Sequence, residues 1–474
     1  MSSDPFMGVQ IHPFSPLDEG IEYCLDLLQE TAGINTLLLY THLYHAGTET
    51  PIDLIADHGV PRREPKKRNL RAAWVRHNPN AFTGTLLRHA PVRDDQEYAD
   101  RDLFAELVEP CRKRGMRILT RILEPQGAKY AAQIEGWTQT LTIDLFGRPG
   151  KVACWNNPDY RRFWQCTVED TFLNYDLDGF MFGAERTGPL SRMLSSGETP
   201  TCFCTHCQQR MERRGLDVER LRRGYTEIYD YVQLLRSGGN AGPDGAFITF
   251  FGLLMRYPEV LAWEREWAVS LEEASALLTG TVKALKPTAE VGRHVDHQQT
   301  TYDLVYRAAS SYAEMARHLD FIKPVVYHDI AAPRVQKWFI DGWRKGVFQE
   351  FIPQQILSGF QTLTKADPGK EPTLDEMEEG GFSADYVYRE TKRCVDSVQG
   401  ATKVYAGVGF DVPFHTPEGP VRHPAGKPET VYEATRQAFA AGADGILVSR
   451  EYQEMQVENL KAVGRALADW KATA

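Results

Sequence analysis

The sequence predicts an α/β chain of the (β/α)8 barrel class, and three observations predict it. Short apolar, β-forming runs alternate with amphipathic helical runs from one end to the other, the mark of parallel βα units. Eight such runs are present, enough to close a barrel. Polar residues capable of chemistry gather where the runs end, which is the face on which such barrels build their sites. The whole chain, residues 1–474, is therefore read as one barrel, although its length alone would suggest two or three domains.

Each run has its own justification. The first covers residues 8–13 (Gly-Val-Gln-Ile-His-Pro) and is followed by a helix over about residues 16–31. Residues 34–44 are apolar and rich in β-formers. Residues 116–123 follow a helix over 102–114 and stop at Glu124-Pro125. The fourth run is 179–182, and the fifth, 290–297, follows a helix rich in Ala and Leu. Runs at 321–328, 403–410 and 445–449 complete the set, with a closing helix over about 453–471. Three connections exceed the few residues of an ordinary βα loop. They are the insertions at about 45–100, 186–288 and 329–382, the first two leaving from strand ends where a pocket or an oligomer contact is shaped.

Composition narrows the function. A net charge of −10 with no basic stripe argues against a nucleic-acid partner. No window approaches the roughly 18 consecutive apolar residues of a membrane helix, and the N-terminus shows no basic stretch followed by an apolar one. Eight cysteines are too few for a disulfide scaffold in a chain this long, so a reducing, cytoplasmic setting is expected. Cys24, Cys111, Cys166 and Cys394 lie in helix-like patterns and read as buried thiols.

The other four are different. Cys202, Cys204 and Cys207 crowd into Cys-Phe-Cys-Thr-His-Cys, and Cys154 precedes the fourth strand. Four thiolates around one Zn²⁺ fill a tetrahedral shell and leave no open position, so such a site is structural. No organic cofactor is indicated. The strand-end candidates are His12, His42, Glu124, Glu185, His294, Asp296, His297, His328, Asp329, Asp411, Arg450 and Glu451. Carboxylates spread over several strand ends suit glycoside hydrolysis, where one carboxyl must keep its proton while another stays ionised. Trp74, Trp155 and Tyr44 are expected as aromatic platforms for a sugar face.

These motifs carry a resemblance. Cys154 with Pro158-Asp159-Tyr160-Arg161, then Gly-Ala-Glu185, then Cys202-Phe-Cys204-Thr-His-Cys207, resembles the β-galactosidases of glycoside hydrolase family 42, or a related glycoside-hydrolase-like family of barrels, over roughly residues 150–215. The resemblance implies Glu185 as the acid/base and Cys154, Cys202, Cys204 and Cys207 as ligands of a structural zinc. Ala184 stands where that family has Asn, and the seventh strand ends in Asp411 where it has a nucleophilic Glu. The expected function is a glycoside hydrolase acting on a short glycoside. Glu185 is opposed by Asp411 or Glu451, while His12, His42, Glu124, His294, Asp296, His328, Asp329, Arg450 and Trp74 bind substrate. The alternatives are a metal-dependent sugar isomerase, epimerase or lyase using the His/Asp set of strands 5 and 6, and a non-catalytic sugar-binding barrel. A carbohydrate is the expected partner, and a homo-oligomer is an open expectation.

Overall fold

A computed structural model describes residues 4–43, 57–59, 69–125, 132–416 and 419–473. Eight parallel strands close a barrel: β1 Phe6–Ile11, β2 Thr36–Tyr40, β3 Arg117–Leu123, β4 Gly179–Gly183, β5 Glu290–Val295, β6 Phe321–Pro324, β7 Lys403–Ala406 and β8 Gly445–Val448. They are hydrogen-bonded in sequential order, and β8 pairs β1 to shut the ring. All eight predicted runs thus form strands of one barrel. Segments such as Thr-Leu-Leu-Leu-Tyr of β2 are buried throughout, as a strand must be with packed side chains inside and helices outside.

The outer ring has a helix after each strand: α1 Ile21–Ala32, α2 Leu103–Lys113, α3 Pro158–Asn174, α4 Glu259–Leu285, α5 Tyr312–Met315, α6 Ala384–Val398, α7 Pro428–Ala440 and α8 Val457–Thr473. Their starts are written locally. Asp102 caps α2 by accepting from Ala105 N, and Asn157 accepts from Asp159 N and Tyr160 N ahead of Pro158 at the first turn of α3. Cys24, Cys111, Cys166 and Cys394 are buried in α1, α2, α3 and α6, as expected.

The excursions carry their own structure. Between β4 and α4 lie the helices Pro189–Ser196, Thr205–Arg213, Val218–Arg236 and Gly245–Arg256. The last of these leaves Ile248, Phe251 and Met255 exposed. Between β6 and α6 the chain is again mainly helical, including Pro353–Thr364. The sequence reading missed a further excursion between β3 and α3, where Leu141–Ile143 pairs Pro149–Ala153 and Ile134–Glu135 pairs Arg88–His89. Among the described residues no single helix is long and apolar enough to cross a membrane; Gly245–Arg256 and Glu259–Leu285 reach that length only as a pair bent by 79°.

Strand alternation sorts the barrel interior into levels. Phe6, Leu38, Leu119, Met181, Phe321, Tyr405 and Leu447 form an apolar floor. One step up the strands, Gln10, Tyr40, Arg121, His294 and Lys323 form a buried polar level. The next step carries His12, Glu185 and Asp296 to the mouth.

Candidate active site

The mouth is organised around Glu185, two residues past β4. Its side chain is 43% exposed and lines an open cleft with Gln298, Tyr302, Arg192, Glu198 and Trp338. His294 Nε2 stands 3.5 Å from Glu185 Oε1. The other ring nitrogen, Nδ1, lies 3.3 Å from Lys323 Nζ, which also donates to Gln10 and, at 2.9 Å, to Tyr327. An ionised carboxylate only accepts, so the His294 ring proton belongs on Nε2, where it is donated to Glu185.

Charge follows from these contacts. Burial pushes the Lys323 ammonium well below its ordinary value, and Arg121 beside it adds to the effect. Burial likewise lowers His294, with Lys323 and Arg121 reinforcing it. Burial alone would raise the Glu185 carboxyl, but the His294 hydrogen bond and the nearby Arg121 and Arg334 pull it below the usual carboxylate range. Asp296 goes the other way, raised to about 8 by burial and by the facing charge of Glu185. Its Oδ1 accepts from the backbone of Gln298 at 2.8 Å and Gln299 at 3.2 Å, while its buried Oδ2 has no hydrogen-bond partner among the described residues. Two adjacent carboxyls therefore hold opposite protonation states near neutral pH, which is the arrangement that acid–base chemistry needs.

Glu451 is the second ionised carboxylate of the mouth. It accepts from Tyr40 OH at 2.7 Å, lies 3.0 Å from His12 Nε2, and faces Arg121 at 3.8 Å. Burial raises its carboxyl, but His12, Arg121 and Arg450 outweigh this and lower it. Arg450 itself is ion-paired with Glu454.

Several expected site residues are committed elsewhere. Asp411 is buried, and its Oδ2 accepts from Gln456 N at 2.8 Å and Asn459 Nδ2 at 2.9 Å, so it anchors the start of α8 rather than opposing Glu185. Glu124 forms a buried two-point ion pair with Arg186 and accepts from Tyr160 OH at 2.5 Å. Trp74 is 1% exposed, drawn inward by the bond from its amide to Thr41 O and covered by Arg71, and Trp155 is equally interior; neither can be a platform. Tyr44 lies outside the described residues. His328 and Asp329 are buried at the head of the helix His328–Arg334, Asp329 taking the amide of Ile330. His42 turns toward His77. Among the described residues, the His and Asp of β5 and β6 do not converge into a group able to hold a metal.

Sequence reasoning missed Arg121, Lys323, Tyr40, Tyr302 and Trp338. Lys323 had a readable signal, a lone cation in the apolar run Phe321–Pro324, whereas Arg121 shares its strand with Arg117 and Thr120. The half-buried Tyr302 and Trp338 sit in excursions, whose placement local sequence does not specify.

The four cysteines of the predicted set do meet. Their sulfurs lie within 4.8 Å of one another, with Cys154–Cys207 at 3.4 Å and Cys154–Cys204 at 3.6 Å. Tetrahedral zinc with bonds of about 2.3 Å separates its sulfurs by roughly 3.8 Å, so the set fits that ion. Ile143 N donates to Cys202 Sγ, Asn156 N to Cys154 Sγ and Asn156 Nδ2 to Cys207 Sγ, the outer contacts a thiolate site requires. All eight cysteines are free of disulfides.

No family model and no curated protein sequence matches this chain. Solved structures do. A β-galactosidase from the Antarctic haloarchaeon Halorubrum lacusprofundi matches with a TM-score of 0.53 at 12% identity, over 98% of this chain and 58% of that one. The β-galactosidase of the psychrophilic Marinomonas ef1 gives 0.51 at 10% identity, over 99% and 60%. A catalytic mutant of Gan42B, a GH42 β-galactosidase from G. stearothermophilus, gives 0.50 at 13%, over 99% and 57%. The chain spans less than two thirds of the length of each. Together with the closed eight-stranded ring, these matches show that the chain shares the (β/α)8 barrel fold of those galactosidases.

Proposed function

We propose that the protein hydrolyses a glycosidic bond in a short glycoside, with Glu185 and Asp296 as its working carboxyls. The observation that carries this is their opposite protonation, with Glu185 lining the cleft and Asp296 buried at the end of the neighbouring strand with one carboxyl oxygen unpartnered among the described residues. The carboxyl of Asp296 donates its proton to the glycosidic oxygen. The Glu185 carboxylate attacks the anomeric carbon or draws the proton from an attacking water, according to the separation of the pair. Glu451, kept ionised by His12, Arg121 and Arg450, lies beneath the sugar and steadies the positive charge that develops on the ring. Trp338 and Tyr302 offer aromatic faces to the sugar's C–H face.

The roles separate by leaving group. Glu185→Gln is expected to lower turnover about 10³-fold or more on every glycoside. Asp296→Asn should spare an activated aryl glycoside and depress a poor leaving group by about 10²–10⁴-fold. Equal loss on both substrates would place the acid elsewhere, unchanged turnover for Glu185→Gln would remove Glu185 from the chemistry, and sugar binding with no turnover of any glycoside by the wild-type chain would support a sugar-binding barrel without hydrolysis. The pH profile has a predicted sign. Activity falls as Asp296 loses its proton above about pH 8, and falls at low pH only when Glu185 is protonated, below the ordinary carboxylate range.

Cys154, Cys202, Cys204 and Cys207 hold a zinc ion in the same proposal, one that supplies structure and no chemistry because its shell is closed. The reduced thiols support a reducing compartment such as the cytoplasm.

A further inference from the structure

A second group of side chains converges away from the cysteines. His42 immediately follows Thr41 at the end of β2, while His77 and His89 come from the excursion that follows. One ring nitrogen of each lies within 4.8 Å of the others, and His42 Nε2 is 2.9 Å from His77 Nε2. His42 is 1% exposed and the His77 side chain 8%. Phe82 meets both His77 and His89 edge-on, and Phe163 covers His89.

The outer nitrogen of each ring is tied to an oxygen. His77 Nδ1 faces Asp170 Oδ2 at 2.7 Å, and an ionised carboxylate only accepts, so Nδ1 carries the proton and Nε2 the lone pair. Thr167 Oγ1 gives its single proton to Phe163 O at 2.9 Å. It must therefore accept from His89 Nε2, 3.0 Å away, which leaves the lone pair on His89 Nδ1. His42 Nδ1 lies 3.0 Å from Thr41 Oγ1. Three imidazoles, each oriented by an oxygen behind it and presenting a nitrogen to a common point, are how proteins prepare a histidine metal site.

We propose that His42, His77 and His89 bind a divalent transition ion, zinc foremost. Imidazole nitrogen suits Zn²⁺ and its neighbours and is a poor match for Mg²⁺ or Ca²⁺. The site is distinct from the cysteine set in residues, chemistry and position. Its consequence is mechanical. One ligand belongs to the barrel and two to the excursion, while Asp170 and Thr167 behind them belong to α3, so the ion fastens the excursion to the rim.

The experiment uses the full, untagged chain, stripped with a chelator and reloaded with zinc chloride. The expected wild-type result is two zinc ions per chain, with an X-ray absorption spectrum showing both sulfur and imidazole nitrogen. His77→Ala and His89→Ala should each remove one ion and leave a sulfur-only spectrum. Cys204→Ser should leave a nitrogen-rich one. Asp170→Asn should retain the ion with affinity weakened about 10–100-fold, whereas His318→Gln, a histidine outside the group, should change nothing. A wild-type chain that binds no zinc, or whose zinc is surrounded by sulfur alone, overturns the proposal, and this reading needs no variant to fold. Nitrogen-bound zinc that survives both alanine substitutions overturns it too.

Discussion

Arg186 follows Glu185 in the chain but pairs with Glu124, and that choice shapes the site. Had it turned to Glu185, the cleft carboxylate would be neutralised by its own neighbour. Instead Glu124 and Arg186 satisfy each other in the interior, with Tyr160 completing the carboxylate's contacts. Removing one partner of such a pair strands a buried charge. Glu124→Gln is therefore expected to destabilise the fold by about 3–5 kcal/mol, read as a lowered midpoint in denaturant unfolding. The same scale explains the state of Glu185. A neutral imidazole and two guanidinium groups face it, so it stays ionised, and its charge keeps the proton on Asp296. Glu185, Asp296 and His294 were legible as strand-end residues, because alternation along β5 points His294 and Asp296 the same way. The protonation states were not legible. They depend on Arg121 and Lys323, which come from other strands, and on Arg334 of the helix His328–Arg334.

At the scale of elements, the end of β7 shows how a residue in the right place can have another task. Asp411 sits at φ 57°, a left-handed conformation, and clamps Gln456 and Asn459 at the head of α8. Asp411→Ala should cost about 1–2 kcal/mol as a lost cap and leave kcat on an aryl glycoside near wild type. A nucleophile replaced by alanine would lose several orders of magnitude, so the two roles separate cleanly. The resemblance to family 42 correctly marked the strand end, but the hydrogen bonds that occupy Asp411 come from a helix some 45 residues later. The cysteine segment was the more readable element, since three thiols within six residues already restrict the geometry. Cys204→Ser is expected to lose one zinc per chain by metal analysis and to loosen the loop after β4.

Across the whole molecule, buried carboxyls that keep their protons leave a signature in stability. Burial and the facing Asp303 raise Glu264 to about 8, and burial brings Asp329 to about 7, alongside Asp296 at about 8. The unfolded chain releases these protons near the ordinary carboxylate range, so the folded state holds more protons between there and pH 8. Stability must then fall as pH rises through that window. Above about pH 6.5, where the lowered histidines are neutral folded or unfolded, the carboxyls act unopposed by them. The Tm is expected to drop between pH 6.5 and 8, and Glu264→Gln, which can still meet the Leu190 amide, should flatten part of the drop. Exposed Ile248, Phe251 and Met255 make the helix Gly245–Arg256 the expected face for self-association. Light scattering should report a mass above that of one chain, returned to one chain by Ile248→Asp with Met255→Asp.

The sequence by itself determined the eight strands, their parallel closure, and the gathering of four cysteines around the strand that leads to Glu185. Each of these rests on short-range pattern: apolar periodicity, turn residues, and thiols a few positions apart. Tertiary structure alone decided which strand-end groups face the cleft, which are consumed by helix caps and buried ion pairs, and where their protons reside. It also brought His42 together with His77 and His89. Those outcomes turn on contacts between residues tens to hundreds of positions apart, and the energy of a buried charge is set by the neighbours that close around it.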